Sequence, residues 1–577
     1  MRNLIRPSNN LLIFDLLNLE FYTLLVNGFV FLMIAVFIRH SLYRLRYLLQ
    51  MFQQVGYKTH EFRHWFSTHL FLKGVTIEHL LFNAVILVMV YLLADRVTLT
   101  AGAIIMGTFA LFWFTGTSRY REEKEKKPLV YTPRMIRLSI PIVIVLFFLW
   151  YTLLDLGRQV LMLRDFAEPF VEIEPYFMSF GMVLVDMLIP AFVWIFGWVL
   201  KPVEIYIQNR FKKQARKKIA SLPHLKVIAI TGSYGKTSTK FVIDAFMKER
   251  MSVCTTPGSY NTPMGICKVI NNQLEASHKA LILEMGARYE GNIKELCDLA
   301  TPDVSVITNV GISHLETFGS KEAIAKEKST LARELKEGGT LILNGDDPLV
   351  RKMAKLRDDV KTVFVGSEGS IRASNIQTGS KGTSFLMEWY NEEGEFVGNE
   401  KVTTRLLGQH NIQNMLLGAA VAREFDIRLK TIALAASRME PVEHRLELKH
   451  RDGFVVIDDA FNSNPVGAAN AVEVLSSFQQ GRKFIITPGM IELGEKEADK
   501  NEEFGRQIGE SNTDVAILVG EERTKPILKG IQSTKKGKEK EVRVVNSLFE
   551  ANDLLKSEGQ KGDVVLYEND LPDTYNS

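Results

Sequence analysis

The residues Thr231-Gly232-Ser233-Tyr234-Gly235-Lys236-Thr237-Ser238-Thr239 carry the clearest chemistry in the chain. Glycines here let the backbone turn tightly, so that N–H groups point at phosphate oxygens where a helix begins. Lys236 would sit on the β- and γ-phosphates, and the Thr237 hydroxyl would help hold Mg. Gly232, Ser233, Gly235 and Ser238 complete the cradle. Two residues separate the glycines, fewer than the four of the usual nucleotide-binding loop. An apolar strand before the loop and Lys-Thr opening a helix after it still point to a nucleoside triphosphate.

Glu284 follows the run Ala280–Leu283, and His314 follows Thr308-Asn309-Val310-Gly311-Ile312-Ser313. Both stand at C-terminal ends of expected strands, where open α/β sheets bind ligands. Mg favours carboxylate and phosphate oxygens, which suits Glu284. A lone histidine is more often a hydrogen-bonded structural residue than a ligand. Lys326 and Lys328, on the helix expected next, read as solvated surface. Further on come Gly408-Gln409-His410-Asn411-Ile412-Gln413-Asn414, Glu443-His444-Arg445-Leu446-Glu447 and Asp458-Asp459-Ala460-Phe461-Asn462-Ser463-Asn464-Pro465. Their asparagines suit helix caps, and the acidic pair suits a ribose or a metal-bound water. The three cysteines, Cys254, Cys267 and Cys297, include no close pair and read as small buried side chains, not as a zinc or disulfide framework.

The elements that must position these residues alternate. Short β-branched runs (Val227–Thr231, Leu281–Leu283, Val304–Thr308, Thr340–Leu343) interleave with helical stretches such as Ser320–Leu335 and Asn411–Phe425. This is the signature of βαβ units around a buried parallel sheet. Residues 367–404, richer in Gly, Ser, Thr and Asn, suggest an antiparallel β insertion. A second βα series begins at Phe454–Asp458 and runs through Val564–Tyr567, with a domain boundary near Ala436–Val442.

The N-terminal part differs in kind. Residues 1–220 hold 25 Lys and Arg against 15 Asp and Glu, whereas the remainder holds 45 against 51. Five apolar stretches, near Phe21–Ile38, Val75–Ala94, Leu99–Gly116, Leu138–Leu154 and Phe177–Leu200, reach the length of about 17–25 residues needed to cross a bilayer. Basic residues number 20 in the segments 39–74, 117–137 and 201–220, against five in the alternating ones. That bias puts the N-terminus outside and everything after Leu200 in the cytoplasm. Basic loops account for the positive excess without nucleic acid. Residues 201–220 suggest a helix along anionic headgroups or an ordinary solvated linker. Asp186, inside an apolar stretch, suits an ion path, an internal pair or a protonated carboxyl.

Taken in order, the motifs resemble the Mur ligase family, the ATP-dependent amide ligases of peptidoglycan precursor synthesis, and within it the MurF branch. The resemblance rests on Gly232–Thr239, Leu283-Glu284-Met285-Gly286, Asn309…His314-Leu315-Glu316, Asn344-Gly345-Asp346-Asp347-Pro348, Gly408…Asn414, Arg445-Leu446-Glu447, Asp458…Pro465 and Gly489-Met490-Ile491-Glu492-Leu493-Gly494. It implies a central ATP-binding domain with a phosphate loop and a β insertion (225–438) and a Rossmann-like C-terminal domain (439–577), after the helical transmembrane bundle (1–205) and basic linker helix (206–224) that the apolar stretches and basic residues suggest. It further implies that Lys236 and Thr237 bind ATP phosphates and Mg, that Glu284 and His314 serve two Mg ions, and that Lys328 is the lysine carbamylated to bridge a metal, with Lys326 its competitor. Asn411 would face adenine, and Arg445 and Asp458 would reach the nucleotide from the C-terminal domain.

The chain departs from the family twice. The membrane block stands in place of the soluble domain that recognises the UDP-sugar. Glu568-Asn569-Asp570 stands where the branch has a Lys-x-Ser-Arg element. The expected activity is a membrane-anchored ligase of a carboxylate-bearing envelope precursor and an amino-acid or dipeptide amine, working through an acyl phosphate. A lipid-linked acceptor or a membrane partner would supply substrate. The rival readings are an ATP-driven transporter and a catalytically silent membrane scaffold.

Overall fold

A computed structural model describes residues 9–68, 85, 99–120, 128–162, 174–379, 382–461, 464–491 and 493–569. The chain divides into two compact units, with the break between Tyr206 and Ile207.

The first unit is helical: α1 (Asn9–Gln54), α2 (Thr59–Thr68), α3 (Leu99–Gly116), α4 (Pro133–Met162) and α5 (Glu174–Val199), followed by α6 (Lys201–Ala220), which runs into the second unit. The expected span Val75–Ala94 lies, apart from Val85, outside the described residues. Of the other four, all helical, two lie in stretches long and apolar enough to cross a membrane, Pro133–Thr152 in α4 and Gly181–Val199 in α5. Among the described residues, these two stretches meet that test. Polar groups sit inside this unit. Arg44 of α1 pairs with Asp186 of α5, and His40 Nε2 lies 3.5 Å from the same carboxylate, all three buried. Ile140, Val143, Ile144, Phe147 and Phe148 of α4 are exposed instead.

The second unit holds two sheets. The larger contains β1 (Lys226–Thr231), β2 (Val253–Thr255), β3 (Ala280–Glu284), β4 (Val304–Ile307), β5 (Thr340–Asn344), β6 (Lys361–Val365), β7 (Ile371–Gly379), β8 (Gly382–Tyr390) and β9 (Phe396–Thr404), in the order β2-β3-β1-β4-β5-β6-β7-β8-β9. Pairs from β2 to β7 are parallel; β7–β8 and β8–β9 are antiparallel. The expected insertion thus extends the parallel sheet. Its central strands are buried on both faces, which is why they read as continuous β-branched runs rather than alternating ones. Two apolar cores flank the sheet, one centred on Phe246, Met415 and Leu417, the other on Leu281, Leu283 and Ile324.

Helices α7 (Lys236–Lys248), α8 (Pro263–Gln273), α9 (Asn292–Leu299), α10 (Leu315–Phe318), α11 (Lys321–Arg333), α12 (Pro348–Arg351), α13 (Gln409–Glu424) and α14 (Leu429–Arg438) follow in chain order. The smaller sheet holds β10 (Glu447–Arg451), β11 (Phe454–Asp459), β12 (Lys483–Thr487), β13 (Val515–Val519), β14 (Glu541–Val545) and β15 (Val564–Glu568), in the order β10-β11-β15-β12-β13-β14. Among the described residues, only β10 runs antiparallel, against β11.

Candidate active site

The C-terminal ends of β1, β3 and β4 converge on one cavity of about 740 Å³. Ser233, Gly235, Lys236, Thr237, Ser238, Glu284, His314 and Arg445 all line it. The loop after β1 has its shape for two local reasons. A Cβ at Gly232 would run into Thr308 Oγ1, and Gly235 caps α7 at φ 75° with its missing Cβ 2.8 Å from Asn414 Oδ1. Only glycine meets both demands cheaply.

The loop is clasped by the segment after β4. Ser233 N donates to Asn309 O (3.0 Å), Tyr234 N to Asn309 Oδ1 (2.8 Å), and Gly311 N to Ser233 Oγ (2.8 Å). Ile312 N donates to the Tyr234 hydroxyl at 2.9 Å. Burial, the larger influence, raises the Tyr234 pKa against hydrogen bonds from Ile312 and Ser313, so the phenol stays neutral. Tyr234 therefore links the phosphate loop to the turn bearing His314, a role with no signature in residue spacing.

Lys236 folds back over the loop, its Nζ donating to Gly232 O (2.8 Å) and Ser233 O (3.0 Å). Burial lowers its pKa, Glu284 opposes this, and Arg445 adds to it. Glu284, 1% exposed, is the hub of the site: its Oε2 accepts from Thr237 Oγ1 at 2.9 Å and lies 3.4 Å from Lys240 Nζ, and its Oε1 accepts from Asn261 Nδ2 at 3.2 Å. Lys240, fully buried and also bonded to Gly258 O, escaped the sequence reading because it lies just past the motif, one helical turn after Lys236. Its pKa is likewise lowered by burial, against Glu284.

His314 occupies the left-handed region (φ 57°) and caps α10. Lys326 and Lys328 part company. Lys326 is exposed and pairs with Glu290 at 2.7 Å, as a solvated lysine would. Lys328 is 3% exposed, and burial, then the nearby Lys236 ammonium, bring its pKa down to about 7 against Glu327. The solvated reading of Lys328 is thereby corrected: two residues apart, the lysines take opposite faces of α11, one exposed and one buried.

Asn411 and Asp458 are not among the cavity-lining residues. The Asn411 amide donates to Leu407 O (2.8 Å) and accepts from Asn414 (3.1 Å), so it is committed to its own helix end. Asp458 pairs with His444 Nδ1 and Lys449 Nζ, each at 2.8 Å. Their neighbours His410, Asn414 and Asp459 line the cavity instead. Along β11, adjacent side chains take opposite faces, so one position separates the two environments. Burial, ahead of Arg445, pushes the His410 pKa down to about 4, which keeps its imidazole neutral. Arg445 is flanked by left-handed residues, His444 (φ 58°) and Leu446 (φ 48°), and Leu446 N is held by Asp459 Oδ1 at 3.1 Å.

The Thr237 hydroxyl and the Glu284 carboxylate, in contact beside the phosphate loop, are hard oxygen donors of the kind Mg takes alongside substrate phosphates and water. Among the described residues, no three His, Cys, Asp or Glu side chains cluster as a self-sufficient metal cage.

Residues 230–422 match the Mur ligase middle domain, and residues 444–567 match the Mur ligase, glutamate ligase domain. The UDP-N-acetylmuramoyl-tripeptide--D-alanyl-D-alanine ligase of Bacillus subtilis (strain 168) is 31% identical over 348 residues, covering 59% of this chain and 72% of that one. The chain belongs to the Mur ligase family. It is accordingly an ATP-dependent carboxylate–amine ligase by class. The ligase of the same description from Mycobacterium tuberculosis (strain ATCC 25618 / H37Rv) is 33% identical over 311 residues, which span 52% of this chain and 59% of that one. Among solved structures, the MurF ligase of Thermotoga maritima in complex with ADP superposes with a TM-score of 0.53 at 27% identity, covering 63% of this chain and 80% of that one. MurF from Acinetobacter baumannii, at 22% identity and a TM-score of 0.56, shares the fold over 63% of this chain and 77% of its own. These Mur ligase matches cover the two sheets and none of the first five helices is needed to account for them.

Proposed function

We propose that this Mur ligase is anchored in the cell membrane and joins a carboxylate-bearing envelope precursor to an amine, as the MurF ligases it resembles do with their named substrates. The observation that carries the ligase chemistry is that Lys236, the Thr237–Glu284 contact, His314 and Arg445 line one and the same cavity. A carboxylate oxygen of the acid attacks the γ-phosphorus of ATP, and the bond to ADP breaks. The amine nitrogen then attacks the acyl carbon, phosphate leaves with the bonding pair, and the amine proton is lost. Lys236 exchanges its two loop carbonyls for phosphate oxygens and offsets charge on the transferred group. Thr237, Glu284, His314 and carbamylated Lys328 would hold two Mg ions, which neutralise phosphate charge. Arg445 reaches the nucleotide from the C-terminal domain, and approach of that domain excludes water from the acyl phosphate. Asn411 and Asp458 act one step back, by fixing the elements that present Asn414 and Asp459.

Anchoring is supported by the surface of the first unit: large apolar side chains of α4 face outward, around an interior of apolar side chains that also encloses Arg44, His40 and Asp186. Lipid tolerates that arrangement and water does not. The basic bias of alternate segments supports a multi-pass topology, with the N-terminus outside and the catalytic domains cytoplasmic. An acceptor linked to lipid, or delivered by a membrane partner, fits such a placement; nucleic acid has no part in it. Asp186, the feature that favoured transport, is committed to Arg44. Purified enzyme given ATP, Mg, acid and amine should release phosphate in an amine-dependent manner, and Lys236→Ala should abolish that release. Unchanged release by the variant would overturn the mechanism.

A further inference from the structure

Helix α6 has two contrasting sides within the ligase unit. On one side Ala215 is buried in the core with Leu225 and Val227, Lys212 pairs with Glu295 of α9, and Lys218 Nζ donates to Asn271 O of α8 at 2.9 Å. Asn271 Nδ2 in turn donates to Phe211 O at 3.2 Å. These contacts fix the rotation of the helix about its own axis. Arg210, Lys213 and Lys217, spaced at i, i+3 and i+7, then share the opposite, exposed side. Lys212 and Lys218 have partners; the three cations of the stripe form no ion pair among the described residues.

We propose that this stripe docks on anionic phospholipid headgroups, so that α6 lies along the bilayer and holds the ligase unit to it; the inference rests on the anchoring reading above. Three unpaired cations on one face complement a negative surface, and the helix begins two residues after the apolar α5 ends at Val199. Nine residues separate Lys201 from Arg210, about 14 Å of helix. That exceeds the about 8 Å over which headgroup charge acts in physiological salt. The stripe therefore reaches lipid only if α6 lies flat, and a flat helix presents all three cations at once. A membrane-linked substrate would then meet the ligase at the surface rather than at the end of a loose tether.

The three native cysteines are buried, and burial raises each thiol pKa, to about 11 for Cys254 and Cys267 and about 12 for Cys297, so a label on Gln214→Cys would be selective. The full chain carrying that label is incorporated into nanodiscs of phosphatidylcholine, with or without phosphatidylglycerol, and a nitroxide on the lipid headgroups reports proximity. Quenching should be stronger in the anionic discs and fall with salt. Replacing Arg210, Lys213 and Lys217 with Gln should weaken the apposition about fivefold per cation, while ATP turnover in detergent stays unchanged. Equal quenching in both discs, no effect of the triple substitution, or a response to a soluble polyanion such as heparin but not to anionic discs would each overturn the proposal. A chain that never enters the discs would instead refute the anchoring itself.

Discussion

Tyr234 shows how a residue of no obvious chemistry can govern a phosphate site. Its hydroxyl is the acceptor for Ile312 N, in the turn that ends at His314. Tyr234→Phe would leave that half-buried N–H without its protein partner, at a cost of about 1–3 kcal/mol. The expected result is a roughly tenfold loss in kcat/KM for ATP, with Ser233 and Lys236 still in place; a rate within twofold of the parent would remove Tyr234 from the positioning of the site. Glu568 offers a pH test. Burial, against the Thr487 hydrogen bond and with help from Asp459, raises its pKa to about 8 from the usual 4.5. Above 4.5 the unfolded chain gives up this proton while the folded chain keeps it, so stability falls as pH rises towards 8 and is level beyond. Glu568→Gln should therefore raise the apparent Tm more at pH 8 than at pH 5; the opposite trend would mean the carboxyl is ionised in the fold. The loop from Gly232 to Thr239 was legible because its glycines, lysine and threonine answer local demands. Lys240 and Tyr234 were not, because their partners lie 18–78 residues away.

Elements were legible where burial on both faces left a continuous apolar run, as in β1, β3 and β4. Short or half-exposed strands left no such run: β2 has three residues, and the residues of β10 are partly or fully exposed. Asn411 and Asp458 were legible as belonging to the site's elements but not in their orientation. The sides of a helix or strand that face a cavity are set by packing partners, here Leu407, Asn414, His444 and Lys449. Glu327 makes the same point between helices. From α11 its carboxylate accepts Gly291 N (2.9 Å) and Ile293 N (2.7 Å), closing the start of α9, and it is 3% exposed. A carboxylate at a helix N-terminus satisfies amides that otherwise lack partners. Glu327→Ala should cost about 2–4 kcal/mol, from two charge-assisted bonds and two stranded donors. Thermal unfolding of the ligase portion would register that loss, and Glu327→Gln should recover part of it. A loss below about 1 kcal/mol for the alanine variant would mean that water replaces the cap.

At the scale of the molecule, the charge asymmetry of the chain does not follow the break between the two units: residues 1–206 hold 19 Lys and Arg against 15 Asp and Glu, because six of the basic residues counted in 1–220 lie in 207–220, within the ligase unit. Both units bury apolar cores, but the first also exposes a row of large aliphatic and aromatic side chains on α4. The long apolar stretches, the last ending at Leu200, foretold this division; the pairing of Asp186 with Arg44, 142 positions apart, was beyond any local signal. The pair also decides between two roles for the buried charge. If it only joins α1 to α5, its two halves are costly apart and dispensable together, since removing one partner of a buried pair costs about 3–5 kcal/mol whereas an apolar replacement of both is often neutral. Asp186→Leu alone should thus lower detergent-solubilised stability steeply. The double variant Arg44→Leu with Asp186→Leu should regain most of it and keep full amine-dependent phosphate release. A stable double variant that lost ligation in membranes but not in detergent would show instead that the buried cluster serves substrate delivery, and the simple fastening role would have to be abandoned.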